Sequence, residues 1–208
     1  MPEALHSVTE PAFQAGFANP VIDSQRSFRA IMDAMARPGT IQQIGLDLAP
    51  PAPVSVAAAA TVLALCDYET TLWIAPSLAE GGALGAYFTF HTGTSLTPSA
   101  GEAQFALIDL SFDGLDLLAF AQGTPEYPDR STTIIAQVPS LFGGEALQAS
   151  GPGIETTASF APAGLPADFL RQWADNRDRF PLGIDMIFCD GAALLGLPRS
   201  TRLTKGAL

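Results

Sequence analysis

Lysine is almost missing from this chain. Of ten cations only Lys205 is a lysine, and the ten face 21 carboxylates for a net charge of −11. A surface of that sign has no electrostatic footing on a phosphate backbone, which excludes nucleic acid as a partner. It also removes the lysine of a Walker loop, and no Gly-x-Gly-x-x-Gly follows an apolar strand pattern. Histidine is as scarce: His6 and His91 lie far apart, without a ligand-type neighbour at helical or knuckle spacing, so a zinc site is not expected. The two cysteines, Cys66 and Cys189, sit inside apolar runs and read as buried, reduced thiols. No Gly-x-Ser-x-Gly elbow is present. The longest apolar run, Val54 to Cys66, is too short to span a bilayer. The first residues lack the basic and apolar regions of a signal peptide, so the expected location is cytoplasmic.

What is abundant is apolar surface. Hydrophobic residues make up 48% of the 208 and charged ones only 15%. A soluble chain of that composition is expected to cover part of its exterior against itself or a partner. The length fits one domain, 1–208, with residues 1–14 as a loose N-terminal arm.

From Asp23 the pattern sharpens. Phe28, Ile31, Met32 and Met35 recur at i, i+3, i+4, i+7 and define one apolar helix stripe, Asp23 or Ser24 can cap, and Arg37-Pro38-Gly39 stops the helix. Val54 to Cys66, apolar all round, predicts a buried helix. Strands are expected at 39–44, 71–75, 87–91, 104–110 and 132–138, with a short helix over 116–122. Gly81, Gly82 and Gly85 argue against a helix over 77–87. Residues 146–150 are expected to pair with the strand before Phe142-Gly143-Gly144, and Phe169, Leu170 and Trp173 mark a helix over 167–177. The last element is a hairpin. Two apolar runs flank Asp190-Gly191, which suits a type I′ turn, and both faces read as covered, so this hairpin is expected at the middle of the sheet. Single strands alternating with helices imply parallel crossovers, and the glycine turns imply antiparallel pairs. The fold class expected is α/β, a single domain with a mixed sheet flanked by helices.

Few residues invite chemistry. His91 reads as a strand-end imidazole, either bonded to backbone or exposed as a ligand or interface contact. Cys66 and Cys189 read as structural. Gly151-Pro152-Gly153 is a tight turn whose amides could meet an anion. Arg29 suits pairing with Asp33 one helical turn on. Asp185, alone in an apolar strand, needs a partner, and Arg29 or Arg199 can supply it. Arg199, beside Ser200 and Thr201, could instead grip a phosphate or a partner's carboxylate.

Several stretches together resemble one family. They are Phe17-Ala18-Asn19-Pro20 through Phe28-Arg29 with the Ala36-Arg37-Pro38-Gly39 stop, Leu65-Cys66-Asp67 before Thr70-Thr71-Leu72-Trp73, Phe90-His91-Thr92-Gly93, Gly151-Pro152-Gly153-Ile154, and Phe180-Pro181-Leu182-Gly183-Ile184-Asp185 with Leu197-Pro198-Arg199-Ser200-Thr201-Arg202. In this order they look like PhnH, a subunit of the bacterial carbon–phosphorus lyase system. The resemblance implies a role in phosphonate catabolism beside PhnG-, PhnI- and PhnJ-like subunits. There the complex transfers the ribose triphosphate of MgATP to an alkylphosphonate and releases adenine. Radical carbon–phosphorus cleavage falls to another, iron–sulfur subunit, in keeping with two separated cysteines here. It implies a fold like that of pyridoxal-phosphate-dependent transferases without the cofactor. Lys205, near the end of the chain, is a poor place for a Schiff base, so no cofactor is expected, pyridoxal phosphate included, and MgATP would enter as a substrate of the complex. The family's polar positions fall on Asp23, Arg29, His91, Asp185, Arg199 and Thr201. These are candidate ligand or interface residues with no catalytic role attached, and the first helix and terminal hairpin are expected to gather five of them. A homodimer is expected when the chain is alone. The competing reading is a stand-alone enzyme or binding protein for a small phosphorylated ligand, using Arg29, His91 and Arg199.

Overall fold

The computed structural model describes residues 15–206, so the expected arm at 1–14 lies outside the described residues. A seven-stranded mixed sheet runs through the molecule. Its strands are β1 (Ile41–Gln43), β2 (Thr71–Ile74), β3 (Ser95–Leu96), β4 (Phe105–Asp109), β5 (Thr133–Gln137), β8 (Asp185–Asp190) and β9 (Ala193–Leu197). The order is β1-β9-β8-β5-β4-β2-β3. β8, β5, β4, β2 and β3 are parallel, while β9 is antiparallel to both β8 and β1. A second, antiparallel sheet joins β6 (Leu147–Ser150) to β7 (Ala158–Phe160) and β10 (Arg202–Lys205).

The period of two along each strand divides the core. Leu107, Ile135, Ile187, Cys189 and Leu194 point to one face, beneath α1 (Pro20–Ala36), α2 (Val56–Leu65) and α4 (Ala83–Thr92). Ile108, Ile134, Met186, Phe188, Leu195 and Leu197 point to the other, covered by α5 (Phe169–Asp178) and the small sheet. Both faces of the β8–β9 hairpin are therefore buried, as its near-continuous apolar sequence requires. The hairpin sits beside the central strand β5 rather than at the centre.

Helix starts follow their caps. Asn19 accepts from the Ile22 N–H at 3.3 Å, Asp23 accepts from the Asn19 N–H at 2.8 Å, and Pro20 occupies the first turn. The helix thus begins three residues before Asp23, because Asn19-Pro20 is the better cap. α2 is capped by Ser55, which accepts from Ala58 N at 3.3 Å.

Five local expectations are corrected. Residues 87–91 are helical, in α4: Leu84, Gly85, Tyr87 and Phe88 are buried, a helix stripe that outweighs the β preference of the aromatics. The 77–87 segment, where glycine argued against a helix, holds the end of α3 (Pro76–Ala79) and the start of α4, with Gly81 and Gly82, at φ +72° and +70°, in the turn between them. Gly85 leaves room for Leu96, whose Cδ1 lies 2.7 Å from where a β-carbon would stand. β6 pairs with β7 and β10, not with the 132–138 strand. The segment 116–122 keeps only one 3₁₀ turn, Leu117–Ala119. The hairpin loop is Gly191-Ala192, and Gly191 alone has positive φ (+54°), the type II′ pattern rather than I′.

Candidate functional site

Arg199 gathers the densest set of polar contacts around the terminal hairpin. The register Met186↔Leu197 brings Asp185, which opens β8, next to the residues leaving β9. Asp185 Oδ1 accepts from the Arg199 backbone N–H at 2.7 Å. Arg199 Nε donates to both carboxylate oxygens at 3.1 Å, and Nη2 closes a second prong on Oδ2. Nη2 also donates to Ser131 Oγ at 2.6 Å, and Nη1 to the carbonyls of Pro128 (2.9 Å) and Pro181 (3.4 Å). A guanidinium carries five N–H groups, and here all five are used. The partner of Asp185 is thus Arg199, not Arg29. In this arrangement the fork ties three chain segments together and holds no donor back for a phosphate. The pair is nearly buried, with side chains 18% and 14% exposed.

Thr201 follows on the same segment. Its carbonyl accepts from Trp173 Nε1 at 2.9 Å, while its hydroxyl is buried with no hydrogen-bond partner among the described residues. Behind Asp185, Asn176 clamps the preceding residue: Nδ2 donates to Ile184 O at 3.0 Å, and Oδ1 accepts from Ile184 N at 2.8 Å. Gly183, at φ +107°, passes so close that a β-carbon would fall 2.7 Å from Asn176 Oδ1. Sequence reasoning missed Asn176. The signal for it was a small amide on the inner face of a helix whose other inner residues, Phe169 and Trp173, are aromatic.

The other candidates do not join this group. Asp23 accepts from the Asn19 N–H in the first turn of α1 and sits 3.9 Å from Arg26. Arg29 is 83% exposed and reaches Asp33, at 3.7 Å. Among the described residues no hydrogen bond or ion pair connects these two to Asp185, Arg199 or Thr201, so helix and hairpin gather three candidates rather than five. His91 is not at a strand end but in the last turn of α4, edge-on to Tyr87 (ring centroids 4.6 Å apart) and Phe90 (5.0 Å). The backbone at Gly16 lies against its ring. The Gly151–Gly153 turn packs on the end of α1, where a β-carbon at Gly153 would stand 2.0 Å from Ala36 O.

A second polar cluster, also missed, lies at the carboxyl ends of the parallel strands, the edge where open α/β sheets hold their ligands. Gln137 ends β5 and donates to Asp109 Oδ2 at 2.8 Å and to Pro53 O at 3.1 Å. Its Oε1 accepts from Ser55 N at 2.7 Å. Asp109, at the end of β4, also accepts from Ser111 N at 2.8 Å. Asp113 accepts from Ser77 Oγ at 2.6 Å and from Asp109 N at 3.1 Å. A polar residue closing an apolar run (Ala106-Leu107-Ile108-Asp109) was the available signal. These contacts fasten the loops above the sheet, and among the described residues no ion pair reaches Asp109 or Asp113.

The nucleophile inventory is quiet. Burial pushes the thiols of Cys66 and Cys189 up to about 12, so both stay protonated. Lys205 lies in β10 on the exposed small sheet, 2.5 Å from Glu145, and that hydrogen bond raises its pKa and keeps it an ammonium. Among the described residues no three metal-ligating side chains cluster, and no helix is long and apolar enough to cross a membrane.

Comparison with known proteins supplies what the geometry leaves open. A family model described as bacterial phosphonate metabolism protein (PhnH) matches residues 15–204. The chain is 43% identical over 195 residues to the alpha-D-ribose 1-methylphosphonate 5-triphosphate synthase subunit PhnH of Rhizobium meliloti (strain 1021). That alignment covers 93% of this chain and 96% of the relative. It is also 31% identical over 86 residues to HtxG of Stutzerimonas stutzeri, named as a candidate C-P lyase subunit, covering 41% and 44% of the two chains.

Proposed function

We propose, since this chain belongs to the PhnH family of bacterial phosphonate metabolism proteins, that it serves as a subunit of the carbon–phosphorus lyase system. The end-to-end match to a synthase subunit carries this reading. The reaction assigned to the complex moves the ribose triphosphate of MgATP onto an alkylphosphonate. The phosphonate oxygen bonds to the ribose C1′ carbon, the bond to adenine breaks, and the triphosphate stays at the 5′ oxygen. Its partners are PhnG-, PhnI- and PhnJ-like subunits.

The side chains of this subunit favour support over independent catalysis. Arg199 has every N–H engaged, both thiols are protonated, and Arg29 and His91 lie on different helices, α1 and α4. A nucleotide triphosphate needs several converging cations, and the surface cleft that Arg29 lines with Arg26, Asp33 and Gln42 includes neither His91 nor Arg199. That weakens the reading of a stand-alone phosphate-binding enzyme. A pyridoxal phosphate aldimine would need a neutral, enclosed lysine, whereas Lys205 is a surface ammonium paired with Glu145. We therefore keep a transferase-like fold without that cofactor as part of the proposal.

The test is purification of the tagged chain from its native host grown on a phosphonate as sole phosphorus source. Retention of the PhnG- and PhnI-like subunits in fixed ratio is expected. A chain that emerges alone under those conditions would contradict the subunit role.

A further inference from the structure

The single apolar stripe expected on α1 splits into two, because Ile31 is buried while Phe28 and Met32 are exposed. Ser27, Ile31 and Ala34 face the core and are buried. A second row, Val21, Gln25, Phe28 and Met32, steps by four, three and four residues, which lines it up along one side of the helix. That row faces solvent: Val21 is 67%, Phe28 48% and Met32 51% exposed. At 3.6 residues per turn it lies about 120° around the helix from the core stripe, too far for the sheet to cover. Among the described residues no packing contact explains a phenylalanine and a methionine there. The 4-3-4 spacing is the seam on which a second helix packs, and Gln25 within it is a polar position able to fix register.

Charge says what kind of helix fits. Arg26, Arg29 and Arg37 are 67%, 83% and 59% exposed, while the carboxylates they touch, Asp23 and Asp33, are only 13% and 35% exposed. Arg29 and Arg37 share Asp33, at 3.7 and 2.9 Å. Arg29, one turn on from Gln25, thus stands outward at the edge of the apolar row, on a chain whose overall charge is −11. A second copy packing α1 against α1 would bring the same arginines together, with Asp23 and Asp33 already engaged by them.

Building on the subunit reading above, we propose that the outer face of α1 docks a helix of another subunit of the complex, one with apolar residues at three- and four-residue spacing and flanking Asp or Glu. The test is co-expression of the tagged chain with the PhnG-, PhnI- and PhnJ-like subunits of the same host, followed by measurement of the ratio retained. The double variant Phe28→Glu/Met32→Glu should lose retention at least tenfold with an unchanged circular dichroism spectrum. Arg29→Asp should weaken it and flatten its salt dependence. Phe112→Glu, 78% exposed on the β4–β5 connection, should leave it unchanged. Wild-type retention matched by the double variant, or lost equally with Phe112→Glu, overturns this face alone. Failure of the wild type to retain any of the three subunits overturns the subunit reading and this proposal with it. If the isolated wild type is a dimer by light scattering and the double variant a monomer, a second copy occupies the face and the proposal is wrong.

Discussion

Replacing Asp185 with alanine is the sharpest perturbation of the hairpin end. The change removes the acceptor for the Arg199 backbone N–H, for Nε and for one prong of Nη2, and strands a guanidinium in a site where its side chain is only 14% exposed. Breaking a buried pair from one side costs about 3–5 kcal/mol. Partial exposure and the surviving bonds to Pro128, Pro181 and Ser131 place the expected loss at the low end, about 3 kcal/mol. For a chain of this size that is a fall in Tm of roughly 6–12 °C, read by circular dichroism at 222 nm (the helix signal) and matched by urea denaturation. The double variant Asp185→Ala/Arg199→Met should recover part of the loss, because no charge is then left unpaired. A single-variant Tm within about 2 °C of wild type, the size of a surface substitution, would refute the reasoning that this pair fastens the sheet end.

Three further outcomes follow from the same geometry. Asn176→Ala leaves both the N–H and the C=O of buried Ile184 unpaired, so a loss of about 2–4 kcal/mol is expected in urea titration; a loss below 1 kcal/mol would mean that solvent or a neighbour replaces the clamp. Gly196→Val forces side-chain atoms onto the Ala34 backbone, which lies 2.7 Å from an ideal β-carbon, and overpacking against a helix backbone should lower stability by about 1–3 kcal/mol; an unchanged Tm would show that α1 can shift off β9. The buried thiols give a pH signature: each is raised from 9.0 to about 12, so the stability they add is intact below pH 9 and is lost as pH climbs from 9 toward 12. The wild type should therefore lose stability faster over that range than Cys66→Ala/Cys189→Ala, by up to about 1.4 kcal/mol per pH unit for each thiol, and parallel curves would contradict the burial.

Much of this fold can be read from the chain because its longer elements carry their own period. The Ile31 and Met35 spacing and the Arg37-Pro38-Gly39 stop define α1, and the apolar runs around Asp190-Gly191 define the β8–β9 hairpin. The Asp185–Arg199 pair was legible for a different reason, since a lone carboxylate in an apolar strand must find a partner. What escaped depends on distant contacts. Tyr87-Phe88-Thr89-Phe90-His91 has strand composition, and only packing in the core against α2 makes it helical. β7 and β10 have three and four residues and exist because β6 lies between them. The Gln137–Asp109 cluster needs Pro53 and Ser55, some eighty residues away along the chain, to become visible.

The central claim is that this chain serves phosphonate chemistry as one subunit among several. It is tested most directly by reconstituting the PhnG-, PhnI- and PhnJ-like subunits with and without it and following adenine release from MgATP and methylphosphonate. Release that requires the added chain, and no release by the chain alone, is the predicted result. Equal release without it, or turnover by the isolated chain, would contradict the account.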